Sequence, residues 1–428
     1  GGVRFHRKGL QIFAQGLLGA GIAILYLSVY ASFDFYQLVS QITAFLCMSV
    51  VTVLAFFLAM HFNAQVISLL GWAGGFMTPI LLSTGTVNTV GLFTYITLLD
   101  VGLVGVLIKR PDWRILAPLT VLATYATYVM WGAEVTPSDH ATPAFLFLSI
   151  FWILFTLFDL SHIVMVRTQS PLHRLVAILN AVCFYLAVYA LVDDTNPGAT
   201  AAVTLAIGMV YGGILLAVQS HTEDDAVRAH YGLATVILVV IATNQQFSPM
   251  PTIQLWSLEA LALAWCGLHW ARPHLLNVSM GLFLLAGLAL CVTDGGLLYD
   301  PLDEFTPVMN VRSLSFLALA GTLGGCALLM RLYDMPDAQR FRNPLHVGWC
   351  IALFLWCSVE INDTFRQMLS DASVGDDTTA LRNLQQLAIS GGWLGYAIIL
   401  MVVGMWRRLQ IVRLAAIAFF GLAILKIF

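Results

Sequence analysis

A few ionisable side chains stand inside otherwise apolar stretches, and any chemistry in this chain has to start from them. Glu259 lies in the run 253–270, about a turn and a half from one end. Asp100 lies in the run 87–108 among Leu98, Leu99, Val101 and Leu103. Asp159 sits in 142–165, with His162 one turn later on the same helical face. Arg312 opens the run 311–330. A charged side chain at the centre of a bilayer costs at least ~2.5–3.5 kcal/mol on insertion scales, so each is a functional candidate by default. Glu259 or Asp100 would serve as a proton or cation site, or as an acid–base group tuned by burial. The plainer alternative is a hydrogen bond to a neighbouring helix through its Ser, Thr, Asn or Tyr residues. For Asp159 and His162 that polar contact between helices is the preferred reading. Arg312 is expected to pair with an acid of the preceding loop, Asp303 or Glu304, and anion binding is its alternative role. Glu360 and Asp363 complete a set of outer-face candidates on which an active site could be built.

A second local feature is Gly71-Trp72-Ala73-Gly74-Gly75-Phe76-Met77-Thr78-Pro79. Pro79 removes a backbone donor and crowds the turn before it, while glycines tolerate conformations other residues avoid. The spacing predicts a kink or a broken helix at Gly71, Gly74, Gly75, Thr78 and Pro79, the kind of interruption that transporters place at binding sites. Against that stands Gly71-x-x-x-Gly75, a close-packing signature that recurs at Gly208/Gly212, Gly321/Gly325 and Gly391/Gly395.

The elements that must position these groups are set by composition. Of the 428 residues, 59% are hydrophobic and only 10% charged. Soluble domains carry roughly a quarter charged residues, so an ordinary soluble enzyme is excluded. The net charge of −3, with no basic block, leaves nucleic acid no electrostatic footprint. A spanning helix needs about 20 mostly apolar residues, and its backbone groups must bond within the segment because hydrocarbon offers no partner. Transmembrane strands would instead alternate over ~10 residues. Fifteen long apolar runs are present, so the expected fold is an all-α, polytopic transmembrane bundle of about fifteen helices in one multi-spanning domain. The polar stretch 361–385 is expected to be a solvated loop or a short helix lying on the surface.

Alternation of the runs gives orientation. With the N-terminus in the cytoplasm, sixteen of the twenty Lys and Arg fall inside, and only Arg312, Arg366, Arg382 and Lys426 fall outside. That split follows the positive-inside bias and supports both the helix count and a multi-pass cytoplasmic (inner) membrane location. Fourteen of the 23 acidic residues fall outside.

All seven cysteines lie inside apolar runs, with no metal-ligand spacing, so no disulfide framework, metal or other cofactor is expected. No Walker loop, dinucleotide fingerprint, HExxH or Gly-x-Ser-x-Gly elbow occurs. Glycines at 19, 21, 71, 74 and 75 fall in the two most distinctive stretches. The first is Gly19-Ala20-Gly21-Ile22-Ala23-Ile24-Leu25-Tyr26-Leu27-Ser28-Val29-Tyr30-Ala31-Ser32-Phe33; the second is 71–79 followed by Ile80-Leu81-Leu82-Ser83-Thr84-Gly85. Together they resemble a bacterial family of polytopic "predicted membrane proteins" (domain of unknown function two-three-three-nine). Trp113-Arg114, Asn310-Val311-Arg312 with Leu314-Ser315-Phe316, Ser390 with Trp393, and Arg413 with Lys426 resemble it more weakly. The resemblance spans the chain and implies a bacterial membrane protein of which this is a fragment lacking both ends. It implies no activity. Three classes remain open: a transporter or carrier of a small polar or ionic solute, a cell-envelope enzyme acting on a lipid-linked substrate at the outer face, or a non-catalytic scaffold. The bilayer is the expected partner in each, and no residue pattern sets an oligomeric state.

Overall fold

The computed structural model describes residues 11–83, 88–165, 171–219, 224–293, 297, 305–333, 335–371 and 378–427. These form fifteen α-helices and two 3-10 segments, and no strand occurs among the described residues. In chain order they are α1 (Gln11–Asp34), α2 (Gln41–Phe62), α3 (Gln65–Leu81), α4 (Thr89–Lys109) and α5 (Leu116–Glu134). There follow α6 (Ala141–Met165), α7 (Pro171–Thr195), α8 (Thr200–Val218), α9 (Asp225–Gln246) and α10 (Pro249–His269). The last five are α11 (Pro273–Val292), α12 (Val311–Leu332), α13 (Pro336–Asp371), α14 (Thr378–Trp406) and α15 (Gln410–Ile427). Eleven of them are long and apolar enough to cross a membrane.

Helix ends follow local chemistry. Ser40, Asn88 and Asn310 accept hydrogen bonds from the backbone N–H three residues on, satisfying orphan donors of the first turn. Pro249 and Pro273 open α10 and α11, where a missing N–H costs nothing. Asn63 closes α2 in the left-handed conformation, its N–H returning to the Ala59 carbonyl. Many large apolar side chains face outward, among them Leu27, Phe57, Leu98, Leu157, Leu284 and Ile399. Water would penalise such a surface and hydrocarbon does not.

The chain divides within α9, between Leu238 and Val239, into two compact units. In the first, α1, α2 and α3 pack together, α4 packs on α6, and α7 packs on α5 and α6. Phe93 anchors its core, its ring meeting those of Tyr128, Trp131, Phe147 and Phe151. In the second, α10 packs on α11 and α12, α12 on α13, and α14 on α13 and α15.

Three expectations are corrected. The segment 71–79 does not break a helix: α3 runs from Gln65 to Leu81 with Pro79 in its last turn. The carbonyl of Gly75, which Pro79 cannot serve, accepts a hydrogen bond of 2.9 Å from the Tyr95 hydroxyl instead. The described residues of 361–385 form neither a loop nor a separate surface helix, because α13 continues to Asp371 and α14 begins at Thr378. At 36 residues α13 is about 54 Å long, well beyond the ~30 Å of hydrocarbon, so part of it must project. Finally, α10 starts at Pro249, which makes Glu259 its central residue, ten from either end.

Candidate functional site

The second unit assembles Arg312, Glu360 and Asp363. Asn310 ends the approach to α12, and its Oδ1 accepts from the Ser313 N–H at 2.7 Å. The same amide donates through Nδ2 to Glu360 Oε1 at 2.7 Å, and the Ser313 hydroxyl donates to that oxygen too. Glu360 Oε2 accepts from the Val308 N–H at 2.8 Å. Val308 has a φ of 65°, a conformation disfavoured for a β-branched residue and costing about 1–3 kcal/mol, and its bond to Glu360 helps to hold it. Trp356 Nε1 donates to Ser313 Oγ at 2.9 Å. Beside this network Arg312 Nη1 donates to Asp363 Oδ2 at 2.5 Å, with the two side chains only 3% and 4% exposed. Asn362 donates to the other Asp363 oxygen, and Gln385 of α14 donates to Asn362.

Glu360 and Asp363 reach one site because they stand three residues apart on one face of α13. Arg312 and Ser313 meet them because the α12 N-terminus packs against that face. The expected loop partners, Asp303 and Glu304, lie outside the described residues. Asn310 stood in the sequence only as part of a weak family resemblance, and Ser313, Trp356, Asn362 and Gln385 were not singled out. Uncharged residues carry no insertion penalty large enough to mark them, although the Asn310 cap and the Trp356/Glu360 spacing of one turn were legible.

Glu259 is half-buried. Its Oε1 accepts from the Thr243 hydroxyl of α9 at 2.6 Å, and its Oε2 is buried with no hydrogen-bond partner among the described residues. Orphaned buried polar atoms are rare in native proteins and ask for a ligand, a water or a proton. Asp100 is different. It is fully buried, and both oxygens lie within 3.0 Å of the Thr124 hydroxyl, which also reaches the Thr120 carbonyl. This is a closed contact between α4 and α5.

Asp159 is likewise buried, and the structure brings to it residues distant in sequence. His173 Nε2 of α7 lies 3.1 Å from Oδ1, and the Tyr231 hydroxyl of α9 donates to Oδ2 at 2.5 Å. His162 stacks on His173 with ring centroids 3.8 Å apart. The Asp159/His162 pair is therefore part of a four-residue cluster tying α6, α7 and α9. His173 and Tyr231 each look ordinary in their own run, and only the α6–α7 hairpin and the packing of α9 unite them.

Gly71, Gly74 and Gly75 are sites of close approach. A Cβ at Gly74 would come within 2.2 Å of the Tyr26 ring, and one at Gly71 within 2.9 Å of Ala55. Thr78 turns its hydroxyl back to the Gly74 carbonyl at 2.7 Å. Tyr26 itself is hydrogen-bonded to Thr52 at 2.7 Å.

A family model described as "Predicted membrane protein (DUF2339)" matches residues 1–293 and 269–428. No curated protein and no solved structure matches the chain.

Proposed function

The chain belongs to the DUF2339 family of predicted membrane proteins, and from that premise we propose that it carries a small polar or ionic solute across a bacterial cytoplasmic membrane, its N-terminus in the cytoplasm. The single observation behind this reading is Glu259. α10 is not among the eleven helices long and apolar enough to cross by themselves, yet a carboxyl at its middle costs several kcal/mol wherever it meets hydrocarbon and gains one threonine bond among the described residues in return. Stability gives no reason to keep it, whereas a proton or cation moving through the unit does. Its unserved oxygen, Oε2, is the acceptor such a species would use.

The test is Glu259→Gln in proteoliposomes with an imposed proton gradient. The amide keeps the shape and the Thr243 bond but cannot take up or release a proton. Coupled uptake should fall at least tenfold while the melting temperature stays within a few degrees. Wild-type coupling in the variant would remove the support for a carrier.

One specific observation favours a second reading, an envelope enzyme acting on a lipid-linked substrate. Arg312, Glu360 and Asp363 form a pre-organised, mixed-charge site in which two acids on one turn of α13 stand beside the α12 N-terminus that carries the guanidinium. A substrate phosphate would compete with Asp363 for Arg312. Under this reading Arg312→Lys, which cannot grip bidentately, would abolish turnover and leave Glu259-dependent coupling untouched.

A further inference from the structure

Between α11, α12 and α13 the second unit leaves an elongated cavity of about 400 Å³. Its walls include Phe283 of α11, Phe316 and Leu319 of α12, and Phe341, Leu345 and Leu355 of α13, with no charged side chain among its lining residues. From Phe341 to Leu355 it follows α13 for about 21 Å, more than the ~15 Å depth of one leaflet's hydrocarbon. Gly287 is part of the lining, and a Cβ there would meet nothing nearer than Leu319 at 3.9 Å, so its missing side chain helps to leave the space open. Walls this apolar offer dispersion contacts to hydrocarbon and no hydrogen bond to water, so an apolar occupant is favoured.

One end of the cavity is electrically distinct. Phe341 lines it, and Arg340 and Arg342 flank Phe341 in sequence. The Arg340 guanidinium lies over the Phe341 ring, 4.6 Å from its centroid. It donates to Asn277 Oδ1 of α11 at 2.7 Å, which holds it across the gap between the two helices, one turn before the lining residue Met280. A guanidinium has five N–H donors, so one bond to Asn277 leaves a fork able to grip an oxyanion. By the charge bias of the connections this end faces the cytoplasm, where basic groups between helices attract anionic lipid heads.

We infer that the cavity holds one acyl chain of an anionic phospholipid whose phosphate is bound by Arg340. The hydrocarbon lies between α11, α12 and α13, and the headgroup sits at the Arg340–Asn277 bridge. The charge at that end favours an anionic lipid over a zwitterionic one. This site is independent of whatever Glu259 transports.

The experiment is native mass spectrometry of the full chain after exchange against vesicles of phosphatidylglycerol or of phosphatidylcholine. Wild type should retain one phosphatidylglycerol in preference to phosphatidylcholine. Arg340→Gln, at an exposed position, should weaken phosphatidylglycerol retention roughly fivefold and that of zwitterionic phosphatidylcholine by less. Gly287→Phe, which fills the cavity, should lose both. Equal retention of the two lipids by wild type, or phosphatidylglycerol retention unaffected by Arg340→Gln, would overturn the inference. So would a folded Gly287→Phe protein that still keeps its lipid.

Discussion

The Arg312–Asp363 pair is a buried charge pair whose two halves cannot be judged separately. Removing one partner strands the other in a poorly solvated place, at a cost of about 3–5 kcal/mol. Removing both together releases that penalty. Asp363→Ala should therefore lower the melting temperature in detergent sharply, and Arg312→Met with Asp363→Leu should recover most of it. Equal losses in the single and double variants would mean that the pair is screened by solvent and that its burial is illusory. Arg312 was legible in the sequence as a costly residue and Asp363 as an outer-face acid. Their partnership was not, because 51 residues separate them. The same limit applies to Asp159: its neighbour His162 follows from helical spacing, whereas His173 and Tyr231 come from other helices.

Among the elements, α3 shows how a local rule can be overridden by a neighbour. Proline inside an apolar helix normally leaves the carbonyl four residues back without a donor. Here Tyr95 of α4 supplies one to Gly75, and the helix continues. Tyr95→Phe should then cost about 1–3 kcal/mol of stability, the penalty for an unsatisfied buried carbonyl. In a Pro79→Ala background the alanine N–H takes over the role, so the same substitution should cost less. A thermal-denaturation double-mutant cycle reads the difference, and strict additivity would sink the assignment. In α13 and α14 the error in expectation ran the other way. The polar stretch 361–385 was expected as a loop or a short surface helix, whereas residues 361–371 and 378–385 extend the long helices α13 and α14, which the Gln385–Asn362 bond and the packing of α13 on α14 support.

For the whole molecule, the testable quantity is parity. Eleven of the fifteen helices are long and apolar enough to cross; if the other four cross as well, consecutive connections alternate sides and residues 110 and 300 should lie on opposite faces. Single cysteines at these positions, introduced after replacing the seven native ones, should react with an impermeant maleimide from opposite sides of oriented vesicles. Labelling of both from one side would break the alternation of basic and acidic connections. The all-helical class, the number of helices and the membrane setting were determined by the sequence alone. Each follows from a sum over a local window: enough apolar side chains in a row to outweigh the exclusion of water, with the backbone bonded within that window. Tertiary structure alone decided that Arg312 meets Asp363, that Glu259 keeps one oxygen without a partner among the described residues, and that α11, α12 and α13 leave room for a hydrocarbon chain. Those outcomes depend on which helix faces turn toward each other, and one apolar helix face looks much like another until packing chooses between them.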